Sequence, residues 1–298
     1  MRNVDLHTVS DVIAADDGDW RPGDRWLAGG SYLYSQPQPD VRRLRDLTLL
    51  RWPPLRLVDG GLEIAATCTI ATLARFRPPP GWAGFAELVG HCCDALLASH
   101  KIWNVATVGG NVCAALPAGP MTALAVAVDA RCQVVDLAGG RWEVPAADFV
   151  RDVESTVLSE GEYLRGVTVP ASTAGARFAV RRASLFAHGR SAALVIGRVD
   201  AQAPGWTLSV TAATRRPVVL ALPDRPTEAQ LLDQVDAACA SAGWMDDVHG
   251  LPAWRRHRTL RLAAQVRAEL TAAHDGMADG DGTGPRVADG DDLGVGGR

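Results

Sequence analysis

The sequence predicts an α+β protein, and three observations predict it. Short β-branched and apolar runs alternate with Gly-Gly pairs and prolines through about residue 170. Residues 85–99 (FAELVGHCCDALLAS) carry apolar side chains at Phe85, Leu88, Val89, Cys92 and Leu96, the spacing of one helical face. From about residue 174, three strand-like runs are followed by two helical ones, the order of an antiparallel sheet backed by helices.

The elements follow in order. RWLA at 25–28 reads as a strand stopped by Gly29 and Gly30, and DVRRLRDLTLL at 40–50 has helical or turn character. LRLVD at 55–59 and LEIAATC at 62–68 flank Gly60 and Gly61 as a hairpin. Thr69 suits the N-cap of a short helix reaching Phe76, before the Pro78, Pro79 and Pro80 break. MTALAVAVDA at 121–130 is apolar nearly all round, which predicts a buried helix. Residues 131–137 and 141–144 flank Gly139 and Gly140 as a second hairpin, and 161–170 is a further strand. Runs at 176–183, 192–200 and 205–213 predict a three-stranded antiparallel sheet, with helices near 227–241 and 253–270. Residues 271–298 hold eight Gly and six Asp with few apolar residues; too little surface can be buried there to offset ordering, so a disordered tail is expected.

Composition narrows the function. Of the 298 residues 47% are hydrophobic, enough for a large core, and the net charge is −4. The 271–298 stretch alone accounts for that −4, so the body is neutral and nucleic acid is not an expected partner. Lys101 is the only lysine, so Schiff-base chemistry would have to run through it. The six cysteines form no Cys-x-x-Cys pair and no zinc or iron–sulfur spacing, and adjacent Cys92 and Cys93 read as helix filler. The N-terminal MRNVDLHTVSDV lacks an apolar signal core and no apolar run is long enough to insert in a membrane, so a cytoplasmic protein is expected. The seven histidines are scattered, and no nucleophile–base–acid set can be assigned. The stretch around His249, Arg255, Arg256, His257 and Arg258 reads as a solvated helix face.

Two Gly-Gly sites each follow a strand signal: WLAGGSYLY at 26–34 and NVATVGGNVC at 104–113. Glycine admits a left-handed backbone and lets a ligand approach closely. Successive N–H groups can then converge on an anion, with Ser31, Thr107 and Asn111 adding polar contacts. A lone pair of this kind also marks ordinary tight turns, as at Gly60 and Gly139. No Walker pattern and no G-x-G-x-x-G fingerprint is present.

Taken together, the two sites resemble the FAD-binding (medium) subunits of the molybdenum hydroxylases, the xanthine dehydrogenase and carbon monoxide dehydrogenase family. WLAGGSYLY is similar to the family's first diphosphate loop, and KIWNVATVGGNVCAALPA at 101–118 to its second. The likeness extends through MTALAVAVDA, 162–170, RSAA at 190–193 and 247–270.

The resemblance implies a two-lobed FAD-binding domain of the PCMH type, as in vanillyl-alcohol oxidase-like flavoproteins, followed by a C-terminal α+β domain. The divisions would fall at 1–54, 55–172, 173–270 and 271–298. It implies FAD contacts at Ala28, Gly29, Gly30, Ser31 and Tyr32, at Thr107, Gly109, Gly110 and Asn111, and at Pro117, with Leu164 near the flavin ring. Trp103 stands where the family usually has Arg, and Pro117-Ala-Gly-Pro120 lacks the family's acidic residue. The chain would be the FAD-carrying electron-transfer subunit of a heteromeric enzyme. Molybdopterin-bound molybdenum would sit on a large partner and [2Fe–2S] clusters on a small one, with NAD, quinone or oxygen as acceptor. A self-contained FAD reductase or oxidase, and a scaffold that has lost FAD, are the alternatives.

Overall fold

The computed structural model describes residues 8–200, 205–222 and 226–278, and the main elements appear in the order just read. The first lobe is a small parallel sheet of β1 (Asp11–Ala14), β2 (Asp24–Leu27) and β3 (Arg43–Asp46), in the order β1-β3-β2. The 40–50 stretch is therefore a strand leading into a 3-10 turn at Leu47–Leu50, not a helix. Its arginines disguise it: Arg45 lies at 0% exposure with its charge met by Asp24.

The second lobe opens with β4 (Leu55–Val58) and β5 (Gly61–Ala65), the expected hairpin. Thr69 caps α1 (Ile70–Ala74), its side chain accepting from the Thr72 N–H. Then come α2 (Ala83–Ala95), α3 (His100–Trp103), α4 (Val108–Cys113) and α5 (Pro120–Ala127). The hairpin β6 (Arg131–Val135) and β7 (Arg141–Pro145) leads through α6 (Ala146–Phe149) to the small ribbon of β8 (Val150–Asp152) and β9 (Ser155–Thr156). β10 (Tyr163–Val169) returns to the centre of a five-stranded antiparallel sheet ordered β4-β5-β10-β6-β7. Every residue of α5 is buried, so this helix is core throughout. Cys92 and Cys93 pack in the same core, with both thiols pushed up by burial, which leaves them inert.

The C-terminal sheet has four strands where three are expected: β11 (Arg177–Ala183), β12 (Ala193–Val199), β13 (Trp206–Thr211) and β14 (Val218–Leu222). The extra strand is a short apolar run after Pro217, and such a run has no alternation to announce it. The sheet is covered on both faces. Leu194 and Ile196 join the core of Phe85, Met121 and Leu124, while Val195 and Val199 pack with Leu231, Val235, Leu262 and Val266. The latter four belong to α7 (Glu228–Ala242) and α8 (Pro252–Ala278). Helix α8 runs past 270 into the stretch expected to be a tail, because TAAHDGMA continues a helix without a proline. Residues 279–298 lie outside the described residues.

Helix α7 begins with a capping box: the Thr227 side chain accepts from the Gln230 N–H, and the Gln230 side chain accepts from the Thr227 N–H. We expect Thr227→Ala to lower stability by about 1 kcal/mol, read as a lower urea midpoint with an unchanged slope. Arg255, expected on a solvated face, is 1% exposed. It donates to the carbonyls of Gly250, Ala192 and Ala212 and pairs with Asp247, so it locks α8 to β12 and β13. Among the described residues no helix is long and apolar enough to cross a membrane.

Candidate functional site

The first glycine loop starts where β2 ends. Ala28, Gly29, Gly30 and Ser31 lead to Tyr32, which precedes a 3-10 turn at Leu33–Ser35. A Cβ on Gly29 would lie 2.7 Å from the Val105 carbonyl carbon and closer still to its oxygen. Glycine alone lets this loop rest on the second lobe. Gly30 has φ +69, the left-handed region where a side chain is strained. Among the described residues, the N–H groups of Gly29, Gly30, Ser31 and Tyr32 donate to no protein acceptor. The carbonyls of Gly30 and Tyr32 are used instead, by the N–H groups of Tyr34 and Ser35 at 2.8 and 2.9 Å. Uncommitted successive N–H groups around a left-handed glycine form an anion-binding concavity.

The second loop differs from its expected form. Thr107 caps α4, its Oγ1 accepting from the Gly110 N–H at 3.0 Å. The N–H groups of Val108, Gly109 and Asn111 donate to the carbonyls of Cys68, Ala66 and Thr107 at 2.8, 2.9 and 3.0 Å. Neither glycine is left-handed, and all four donors from 108 to 111 are committed. This stretch is a helix start seated on the 66–70 segment, not a second nest.

The two glycines of that start then do different work. Gly109 is buried, and a Cβ there would lie 2.6 Å from the Ala66 Cα, so it is a close-packing position. Gly110 is exposed, and a Cβ there would meet only Thr107 Oγ1, at 2.9 Å. Asn111 Oδ1 accepts from the Met121 N–H at 2.9 Å, which caps the buried helix α5. Cys113 packs behind the helix, its thiol pushed up to about 12 by burial.

The first loop is held at both ends of α4. Gly29 touches Val105 before the helix. After it, the Tyr32 hydroxyl donates to Glu154, whose N–H donates to the Ala115 carbonyl at 3.0 Å. Burial first, and the Glu154 carboxylate second, push the Tyr32 phenol up to about 12, so it stays a neutral donor. Exposed Gly110 lies between Val105 and Ala115 along the chain. Glu154, and Arg190 whose charge acts on Tyr32, belong to the site; Glu154 stands far along the chain with no local signal, while Arg190 opens the RSAA run already included in the resemblance.

The remaining expected positions lie elsewhere. Leu164 is 1% exposed, paired with Val134 in the core, so its side chain is not free for a ligand. The Pro117 carbonyl accepts from the Ala212 N–H at 2.8 Å and faces the C-terminal sheet. Trp103 packs against the core with its Nε1 buried and unpaired among the described residues. Pro120 occupies the first turn of α5, where a missing N–H costs nothing.

The chain matches a family model described as the FAD binding domain in molybdopterin dehydrogenase, over residues 22–172. It is 27% identical over 165 residues to the carbon monoxide dehydrogenase medium chain of Hydrogenophaga pseudoflava, covering 52% of this chain and 54% of that one. It is 29% identical over 125 residues to a xanthine dehydrogenase of Oryza sativa subsp. japonica, covering 39% of this chain but 9% of the longer protein. The aligned part thus spans about half of one curated relative and a small fraction of the other. A quinoline 2-oxidoreductase structure from Pseudomonas putida 86 shares the fold, with TM-score 0.71 and 20% identity over 90% of this chain and 98% of that one. With half the chain matched by the model and the loops in place within it, this protein belongs to the family of FAD-binding domains of molybdopterin dehydrogenases.

Proposed function

We propose that the chain is the FAD-carrying electron-transfer subunit of a heteromeric, cytoplasmic molybdenum hydroxylase. The observation that carries this reading is the first glycine loop, with four uncommitted N–H groups around left-handed Gly30. Such a set fits a dianionic diphosphate, which needs several donors and no side chain in the way. Gly29, Gly30, Ser31 and Tyr32 would supply those N–H groups, with Ala28 setting the loop's exit from β2. Gly110 would leave room for the diphosphate. Thr107, Gly109 and Asn111 would act by holding α4 and α5 in position. Leu164 would act from the core and Pro117 through its contact with the C-terminal sheet, neither side chain reaching the diphosphate.

The flavin, when bound, supplies the redox chemistry, and the protein supplies binding, orientation and water exclusion. Loop 28–32 and helix α4 orient the diphosphate, and the Tyr32–Glu154 contact keeps the two lobes closed around it. The donors are fixed by folding, so they need no reorganisation when the anion arrives. The division into 1–54, 55–172 and 173–270 belongs to this reading, each part contributing one of the three larger sheets.

A large molybdenum-cofactor subunit and a small iron–sulfur subunit are the proposed partners. The likeness to a chain named as the medium chain of a carbon monoxide dehydrogenase supports them. Electrons would arrive from the iron–sulfur partner and leave to NAD, quinone or oxygen. Native purification with metal analysis tests this: molybdenum and iron should co-purify, and the isolated chain should be yellow yet reduced only slowly by organic substrates. A chain that stays colourless after reconstitution with FAD, or that oxidises a substrate rapidly alone, overturns the reading.

Gly110→Val separates ligand from packing. The added side chain shifts the Thr107 cap, costing about 1 kcal/mol of stability. Its expected effect on FAD affinity is larger, on the order of a few kcal/mol, because the side chain would fill the room left for the diphosphate and push it off the N–H groups of loop 28–32. Equal flavin content in mutant and wild type would put the diphosphate elsewhere.

A further inference from the structure

On the outer face of the five-stranded sheet lies a cavity of about 80 Å³, lined by Pro53, Arg56, Glu63, Gln133, Arg165 and the backbone of Gly166. A water needs roughly 10–15 Å³ measured in this way, so the space holds several water-sized positions, enough for an ion of phosphate or carboxylate size. The Arg165 guanidinium lies over the Trp52 indole, 4.2 Å from the ring centroid. Trp52 in turn stacks on Tyr163 at 6.0 Å. The aromatic face thus fixes the plane of the guanidinium.

What distinguishes Arg165 is its lack of an acceptor. Among the described residues it makes no hydrogen bond and no ion pair through its side chain, and the Gln133 amide makes none either. The nearby carboxylate is taken: Glu63 accepts from Arg56 Nε and Nη2 at 3.1 and 2.7 Å. Burial lowers the Arg165 pKa from its ordinary value; the Glu63 carboxylate acts against this, while Arg56 and Arg141 add positive charge around it. A half-buried guanidinium with unmet donors, positively charged neighbours and an open cavity beside it is a site prepared for an anion.

We propose that this cavity binds a small oxyanion, a phosphate or a carboxylate, gripped by the Arg165 fork and the Gln133 amide. The site is on a different sheet face from the buried Leu164 and is separate from the glycine loops, so it does not depend on the FAD reading. Titration calorimetry of the FAD-loaded chain with inorganic phosphate and with acetate, at ionic strength matched with chloride, tests it. At least one should bind saturably in the millimolar range or tighter, and the stronger of the two identifies the anion class. Arg165→Gln should weaken that binding at least tenfold with flavin absorbance unchanged. Gln133→Glu, a near-isosteric change at the cavity wall, should weaken it at least fivefold, which guards against misfolding of the arginine variant. No saturable binding by either anion, or equal binding by wild type and both variants, overturns the proposal.

Discussion

Gly29→Ala should abolish FAD retention. The added methyl would enter the Val105 carbonyl, a backbone group that cannot rotate aside, so loop 28–32 must lift from the second lobe. The uncommitted N–H groups would move with it. Losing two or more charge-assisted hydrogen bonds corresponds to about 3 kcal/mol or more, a fall in affinity of a hundredfold or greater. The check is the ratio of flavin to protein absorbance after purification, beside a far-ultraviolet circular dichroism spectrum to confirm folding. Gly109→Ala is the control for packing: it collides with Ala66 and should lower stability by about 1–3 kcal/mol, with FAD loss following only from that. Should Gly29→Ala purify with full flavin content, the first loop is not the diphosphate site.

Asp24→Ala should give the largest loss of stability. Asp24 is 5% exposed and receives Arg43 Nε and Arg45 Nε, each at 2.7 Å. Arg45 is fully buried, and its other donors reach the carbonyls of Ala15, Asp17, Gly18 and Asp19. Removing the carboxylate strands a buried cation, which costs about 3–5 kcal/mol. The first lobe should open, and flavin should be lost with it; chemical denaturation of the mutant reads the change.

The same carboxylate sets an acid limit. Burial pushes its pKa up, but the hydrogen bonds from Arg43 and Arg45 outweigh burial and hold it well below the ordinary 3.8. A group whose folded pKa is depressed contributes fully above its unfolded pKa and loses that contribution as pH falls. Wild-type stability should therefore drop below about pH 4, and Asp24→Asn should flatten that part of the profile. An unchanged slope in the mutant would assign acid sensitivity to other carboxylates.

Hairpins, caps and the buried helix α5 were legible in the sequence because each is set by neighbours in the chain. Gly60 turns the hairpin, Thr69 caps the helix that follows it, and an all-apolar segment must be buried. The family was legible for the same reason, because the two glycine loops are local runs that resemble it. Tertiary structure decided what each glycine does. Gly29 faces a carbonyl, Gly109 the turn at Ala66 and Gly110 solvent, and the sequence writes all three alike. It also turned the second loop into a helix start, because the carbonyls of Ala66 and Cys68 arrive from another segment to take its N–H groups. The strand at Arg43–Asp46 and the burial of Arg255 escaped notice because arginine reads as exposed until a distant carboxylate or carbonyl neutralises it. Contacts made through space, such as Tyr32 with Glu154 or Arg165 with Trp52, have no periodicity along the chain, so only the folded molecule contains them.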